Sequence, residues 1–406
     1  MPGSPRESAP VSHSIQTEVL VLGLGAVGAA VAYQLSRRGI PFIGIEQQPP
    51  PPYARGSSQG ETRITRIAVG EGADYIPLVR RSHEIWRELE GPRRGTLFNR
   101  CGVLYLAYGS GGGRRHGSSS FLSATQAAAR AAKVRLRALA SPAIRRAFPQ
   151  FGVSRGTIGF FEPDAGYVWP ERCIKAQLDA VSDQRRLHFG EQVLERRQVG
   201  GRVRVTTSRG VYEARHVVVT MGAWIPGFVG GPYRRDLRVL RQALHWFRPS
   251  RPELWRGRRA PAFLWFHGRR PADVFYGFPL ASGGVRGVKV ATEQYRSPTR
   301  ADDMRARVSS AESSAMFRQH VAGRLRGVTR ERVAAKACLY TYNHARGRDG
   351  RFMIGRDPEA PGCLVVSACS GHGFKHSAGL GEAIVQTLMG EAPIADLSVF
   401  LPPAAA

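Results

Sequence analysis

Lysine is scarce in this sequence. Only five of its 59 basic residues are lysine (Lys133, Lys175, Lys289, Lys336 and Lys375). Arginine supplies the rest of a formal net charge of +28 over 406 residues. No basic stretch alternates with aromatics in the manner of a base-stacking platform, so the charge reads as a compositional bias and no nucleic-acid partner is expected. The field still favours anionic ligands approaching the protein. Cysteine is also sparse. Cys101, Cys173, Cys338, Cys363 and Cys369 are odd in number and scattered, with no CxxC pair and no ligand spacing. That excludes a disulfide framework and a structural zinc site, leaves no metal expected, and marks four of the five as buried bystanders. No apolar run reaches the ~18–20 residues of a membrane-spanning helix. The first fifteen residues, MPGSPRESAPVSHSI, lack the apolar core of a signal peptide and read as a disordered lead-in to a cytoplasmic protein. No internal repeat is visible.

What is present is an ordinary globular composition, 42% hydrophobic and 22% charged, on a chain long enough for two domains. The sharpest local signal is TEVLVLGLGAVGAAVAYQLSRRGIPFIGIEQ at 17–47. Residues 18–22 read as an apolar strand, followed by Gly23, Gly25 and Gly28 in G-x-G-x-x-G spacing. A helix then opens at Ala26 and Val27 and runs through Arg38, and a second strand over 41–45 ends at Glu46. This is a βαβ unit with an acidic residue about twenty positions beyond the glycines, the pattern of a dinucleotide site. Gly23 allows a tight turn, Gly25 lets a pyrophosphate approach the backbone, and Gly28 lets the helix pack on the strand. The helix N-terminus offers free N–H groups to phosphate, and Glu46 suits ribose hydroxyls while disfavouring a 2′-phosphate.

Further along, 56–66 is a polar loop and 75–89 an amphipathic helix. The Gly/Ser-rich stretch 109–120 reads as a mobile surface loop, and 121–148 as helical with a break at Ser141-Pro142. An apolar strand at 216–220 runs into Met221-Gly222-Ala223-Trp224. Alternating aromatic and aliphatic residues over 235–300 predict an antiparallel sheet. A last strand at 363–367 enters Ser370-Gly371-His372-Gly373 before a helix over 378–389. The fold class expected is therefore α/β, a Rossmann-type FAD-binding domain interleaved with an antiparallel-sheet substrate domain. The boundaries expected are 16–95, 158–226 and 338–406 for the first and 96–157 and 227–337 for the second. NAD enzymes more often keep the Rossmann domain contiguous, so the interleaving favours FAD.

Five segments taken together resemble the monomeric sarcosine oxidase and N-methyltryptophan oxidase family, within the D-amino-acid-oxidase-like FAD-dependent amine oxidases. They are the glycine unit at 23–28, GSSQGETRITR at 56–66, FYGFP at 275–279, ACLYT at 337–341 and SGHGFKHSAGLGE at 370–382. The resemblance runs from about residue 17 nearly to the end. It implies an FAD linked covalently through the sulfur of Cys338. It also places Ser57, Ser58, Thr62, Val193, Gly371, His372, Gly373, Phe374 and Lys375 among the cofactor-binding residues.

The resemblance further implies that Arg66 and Lys375 hold a substrate carboxylate, that Arg63 lies near the flavin, and that Tyr276 lines the substrate side. Lys289 matches the lysine that activates oxygen, where a compact cation stabilises developing negative charge. The implied reaction is oxidation of a secondary amine or N-methyl amino acid, with a hydride passing to flavin N5 to give an imine and oxygen reduced to hydrogen peroxide. The partners are thus a carboxylate-bearing amine and molecular oxygen, and the family's name suggests a monomer. Departures from the family pattern are Gln59 and Glu293 at usual histidine positions, Gly355 at a usual aspartate, and a longer loop after Thr341. Glu293, if it faces the flavin, would attract an ammonium group. The alternative is a flavin-dependent amine dehydrogenase or biosynthetic tailoring enzyme that forms an imine from a cyclic amino acid or other amine. A colourless NAD-dependent reductase and a basic nucleic-acid-binding protein are the remoter rivals.

Overall fold

The computed structural model describes residues 14–92, 95–108 and 120–403. Most of the expected disordered lead-in, and residues 109–119 of the expected mobile loop, lie outside the described residues.

The N-terminal unit forms around strand ends that are apolar and buried, residues 19–22 and 217–219, as segments covered on both faces must be. Ile15–Leu22 pairs in parallel with Phe42–Glu46 on one side and Val211–Val219 on the other. The sheet extends from Phe42–Glu46 to Leu187–Phe189 and, beyond Val211–Val219, to Arg202–Thr207 and Val193–Val199. Cys363–Ser367 joins the C-terminal end of Val211–Val219 in parallel and carries Met353–Arg356 antiparallel to it. Helices Ala26–Arg37 and Ser377–Leu388 contribute Ala29, Val31, Leu35, Leu380, Ile384 and Val385 to a core shared with Val19, Val21 and Val218. The first and last parts of the chain thus build one layer together.

The second sheet runs Val328–Asn343, Leu237–Pro249, Val288–Ala291, Val274–Phe278, Ala262–Phe266, Val103–Tyr108, Thr157–Glu162, Arg137–Ala140. Every pairing in it is antiparallel except that of Ala262–Phe266 with Val103–Tyr108. Alternation along its strands separates two faces. Tyr105, Leu264, Tyr276, Phe278 and Tyr340 lie in one cluster, and Leu104, Leu106, Trp265, Phe275 and Val290 in another. A small third sheet joins Arg63–Thr65, Gly166–Val168 and Phe98–Asn99.

One expectation is corrected. Residues 121–148 are not one broken helix: Phe121–Ala131 and Ser141–Ala147 are helical, but Arg137–Ala140 between them is an edge strand. Lys133 turns the chain with a positive φ of 53°, ending the first helix. The domain boundaries at 158 and 338 both fall inside strands. Thr157–Glu162 and the whole of Val328–Asn343 pair in the second sheet, so Cys338 is a residue of that sheet.

Candidate active site

One cavity of about 420 Å³ runs from the glycine loop to the aromatic face of the second sheet. At the glycine end, Gly23 has φ +89°, and a Cβ there would press on the carbonyl of Thr220 at 2.9 Å. A Cβ on Gly28 would collide with the carbonyl oxygen of Gly23, so Gly28 packs under the loop and does not line the cavity. Gly25, at the N-cap of Ala26–Arg37, would place a Cβ in open space. Its backbone is what a ligand phosphate can approach. Glu46 is buried, and its carboxylate accepts from Leu24 N (2.9 Å) and Gln48 N (3.0 Å). Burial raises its pKa, opposed by the backbone donors. A carboxylate has about four acceptor positions, so two hydroxyls can still be taken up.

Of the residues marked in the sequence, Gly23, Gly25, Ala26, Val27, Glu46, Ser57, Ser58, Val193, Gly371, His372, Gly373, Phe374 and Lys375 line this cavity, as do Arg63, Arg66, Tyr276 and Glu293. Gly28, Thr62, Lys289 and Cys338 stand behind its wall. Cys369, expected to be a bystander, lines the cavity.

At the far end Arg66 and Lys375 converge. Arg66 Nη2 and Lys375 Nζ donate to the same oxygen, Oε1 of Glu71, at 2.8 and 2.9 Å. All three side chains are at most 5% exposed. Arg66 also donates to Ala68 O and stacks against Phe121, while Lys375 donates to His372 O. His372 Nε2 donates to Gly350 O at 2.9 Å, and burial drops its pKa to about 3, so the ring is neutral. Glu71 carries no motif in the sequence; its partner Lys375 is 304 positions away.

Arg63 fixes the loop above it by donating to Ser57 O, Gln59 O and Thr62 O. Tyr276 and Tyr340 sit across the cavity with hydroxyls 3.3 Å apart. Burial pushes the Tyr276 phenol up to about 12, with Arg63 opposing. Glu293 follows strand Val288–Ala291 and accepts from the Tyr295 hydroxyl at 2.5 Å. Lys289 donates to Gly60 O (2.6 Å), Thr62 O (2.8 Å) and Thr62 Oγ1 (3.1 Å), flanked by the rings of Phe278 and Trp246. Burial holds its ammonium well below the ordinary lysine range.

Cys338 is 1% exposed. It lies two residues before Tyr340 on Val328–Asn343, hence on the same strand face. Burial pushes its thiol up, while Arg63 and Lys289 pull it down. Nearby, Gln59 Nε2 donates to Ala337 O, and its buried Oε1 has no hydrogen-bond partner among the described residues. A buried acceptor left alone is costly. Together with the open backbone at Gly25 and the acid at Glu46, it fits a long dinucleotide cofactor whose polar groups complete the site.

Relatives agree with that chemistry. The chain is 29% identical over 396 residues to monomeric sarcosine oxidase of Bacillus sp. (strain B-0618), covering 95% of this chain and 96% of that protein. It is 30% identical over 395 residues to N-methyl-L-tryptophan oxidase of Yersinia pestis (strain Pestoides F), covering 94% and 98%. Among solved structures, the fold is similar to NikD, described as an unusual amino acid oxidase essential for nikkomycin biosynthesis. The TM-score is 0.78 at 22% identity, covering 97% and 99% of the two chains. The model of the family described as FAD dependent oxidoreductase matches residues 18–387. The chain belongs to this FAD-dependent oxidoreductase family.

Proposed function

We propose that the protein is an oxidase of a carboxylate-bearing secondary amine, an N-methyl amino acid in the first instance, with FAD attached through Cys338. The observation that carries this reading is the convergence of Arg66 and Lys375 on one carboxylate oxygen. Two buried cations at 2.8 and 2.9 Å from a single oxygen form a receptor that a substrate carboxylate can enter by competing with Glu71. Charge-assisted contacts of this kind are short, strong and orienting.

The flavin would be held by Gly23, Gly25, the first turn of Ala26–Arg37, Glu46 and the Gly371-His372-Gly373 turn, with its ring towards Cys338 and Arg63. When bound, it would supply the two-electron chemistry of amine oxidation, accepting a hydride equivalent and passing two electrons to oxygen. The remaining work belongs to side chains. Arg66 and Lys375 fix the carboxylate and hence the position of the α-nitrogen. Tyr276 and Tyr340 close one wall of the cavity and exclude water. Glu293 places negative charge where an amine enters. Lys289 keeps positive charge behind the loop, where oxygen reduction develops negative charge.

The division into a flavin-binding part and a substrate-binding part follows the two large sheets, with the junctions moved outside Thr157–Glu162 and Val328–Asn343. The test of the cofactor reading is acid precipitation of the purified protein. Yellow colour stays in the pellet and moves to the supernatant in Cys338→Ser; colour released from the wild type removes the covalent link.

A further inference from the structure

The turn that cradles Lys289 is built from two successive residues in the left-handed region, Gly60 (φ +98°) and Glu61 (φ +69°). Glycine adopts this freely, but a residue with a Cβ pays about 1–2 kcal/mol, so the turn must be held. Two carboxylates hold it. Oε1 of Glu171 accepts from Gly60 N at 2.7 Å and Glu61 N at 3.2 Å. The carboxylate of Glu61 in turn accepts from Val285 N at 2.7 Å and Trp246 Nε1 at 3.1 Å. The outcome of the turn is that Gly60 O, Thr62 O and Thr62 Oγ1 all face Lys289 Nζ. An ammonium has three donors, and all three are used.

Four ionisable groups from four parts of the chain surround that ammonium: Arg63 on Arg63–Thr65, Glu61 in the turn, Glu171 on helix Pro170–Asp179, and Cys338 on Val328–Asn343. Burial and then Arg63 disfavour the charged form, while Glu171 and Glu61 favour it; Cys338 adds to them only as a free thiolate, not once its sulfur is bonded to the flavin. Glu171 stands in the first turn of its helix, where the exposed N–H groups stabilise a carboxylate. It therefore ties down both amides of the strained turn and sets a negative charge against two buried cations.

We infer that Glu171 is a positioning residue for Lys289: its carboxylate fixes the turn whose oxygens hold the ammonium, and its charge keeps that ammonium protonated. This rests on the assignment of Lys289 to the oxygen reaction. Glu171 lines the same cavity as Arg63.

Two substitutions separate geometry from charge. Glu171→Gln retains an acceptor oxygen and removes the charge, whereas Glu171→Leu removes both. Hydrogen exchange over residues 57–63, which needs neither cofactor nor turnover, should accelerate at least about tenfold in Glu171→Leu and little in Glu171→Gln. The oxygen reaction is then followed by reducing each protein anaerobically with dithionite and mixing it with oxygenated buffer across a pH series. In Glu171→Gln the alkaline fall-off of the rate should move down by about one pH unit, which makes the protein about tenfold slower on that limb. A merely structural role would slow the reaction evenly at every pH. A fall-off that stays in place in Glu171→Gln, or unchanged exchange in Glu171→Leu, overturns the proposal. Lys289→Met, run alongside, keeps the two readings apart. If it reoxidises normally, the assignment of Lys289 falls and this proposal with it. If it is slow while Glu171→Gln keeps the wild-type profile, only the role of Glu171 falls.

Discussion

Arg66 and Lys375, from opposite ends of the chain, share one oxygen of Glu71. Breaking a buried ion pair by removing one partner is costly, because the charge left behind has already been taken out of water.

The substrate side of that relationship can be measured. Arg66→Ala or Lys375→Met should raise KM for an N-methyl amino acid by about 10–100-fold, the loss expected for a charge-assisted hydrogen bond of about 1.5–3 kcal/mol. The same substitutions should leave KM for an amine without a carboxylate nearly unchanged. Steady-state kinetics with a matched pair of amines gives the comparison.

Glu71 should oppose binding. In Glu71→Gln the two cations lose the charge of the carboxylate they share and become more attractive to a substrate carboxylate. KM should fall about 3–10-fold, equivalent to about 1 kcal/mol. A rise in KM would mean that Glu71 orients the pair more than it competes for it.

Gly25 and Gly28 should fail differently. A Cβ on Gly28 has no room beside Gly23 O, whereas one on Gly25 meets nothing within 4 Å. Gly28→Ala should therefore lower the melting temperature of the cofactor-free protein, while Gly25→Val should leave it nearly unchanged and abolish flavin retention.

The fold should be acid-sensitive through buried neutral imidazoles. His83 is 2% exposed and bonded to the Thr65 hydroxyl at 2.6 Å, and burial lowers its pKa from 6.5 to about 3. His372 is lowered likewise to about 3 by burial. Below pH 6.5 the unfolded state takes up protons that the folded state refuses. Stability from these groups is therefore complete above that pH and is lost as pH falls towards 3. Each imidazole costs about 1.4 kcal/mol per pH unit within that window. Melting temperature against pH should fall below about pH 6, and His83→Gln should make the fall shallower.

The glycine unit was legible because its chemistry is local. Strand, turn, helix and Glu46 fall within about thirty consecutive residues, and Gly28 is demanded by its contact with Gly23 O in the same stretch. Arg137–Ala140 was not legible, because an exposed edge strand shows no apolar alternation; its residues are mostly exposed. Glu71 was invisible for another reason. Its role exists only where residues 66–71 meet residue 375, and nothing in Gly70-Glu71-Gly72 marks a buried acid. Lys289 and Cys338 could be singled out by resemblance, but not their placement behind the cavity wall, which depends on the register of Leu237–Pro249 against its two neighbours.

The most direct test of the central claim is anaerobic mixing of the yellow protein with sarcosine and other N-methyl amino acids, followed by admission of oxygen. The account predicts that flavin absorbance near 450 nm bleaches with at least one of them, that it returns with oxygen, and that one hydrogen peroxide forms per imine released. Bleaching that recovers only with an added electron acceptor would contradict the oxidase assignment. Absence of bleaching with every carboxylate-bearing secondary amine would contradict the substrate class.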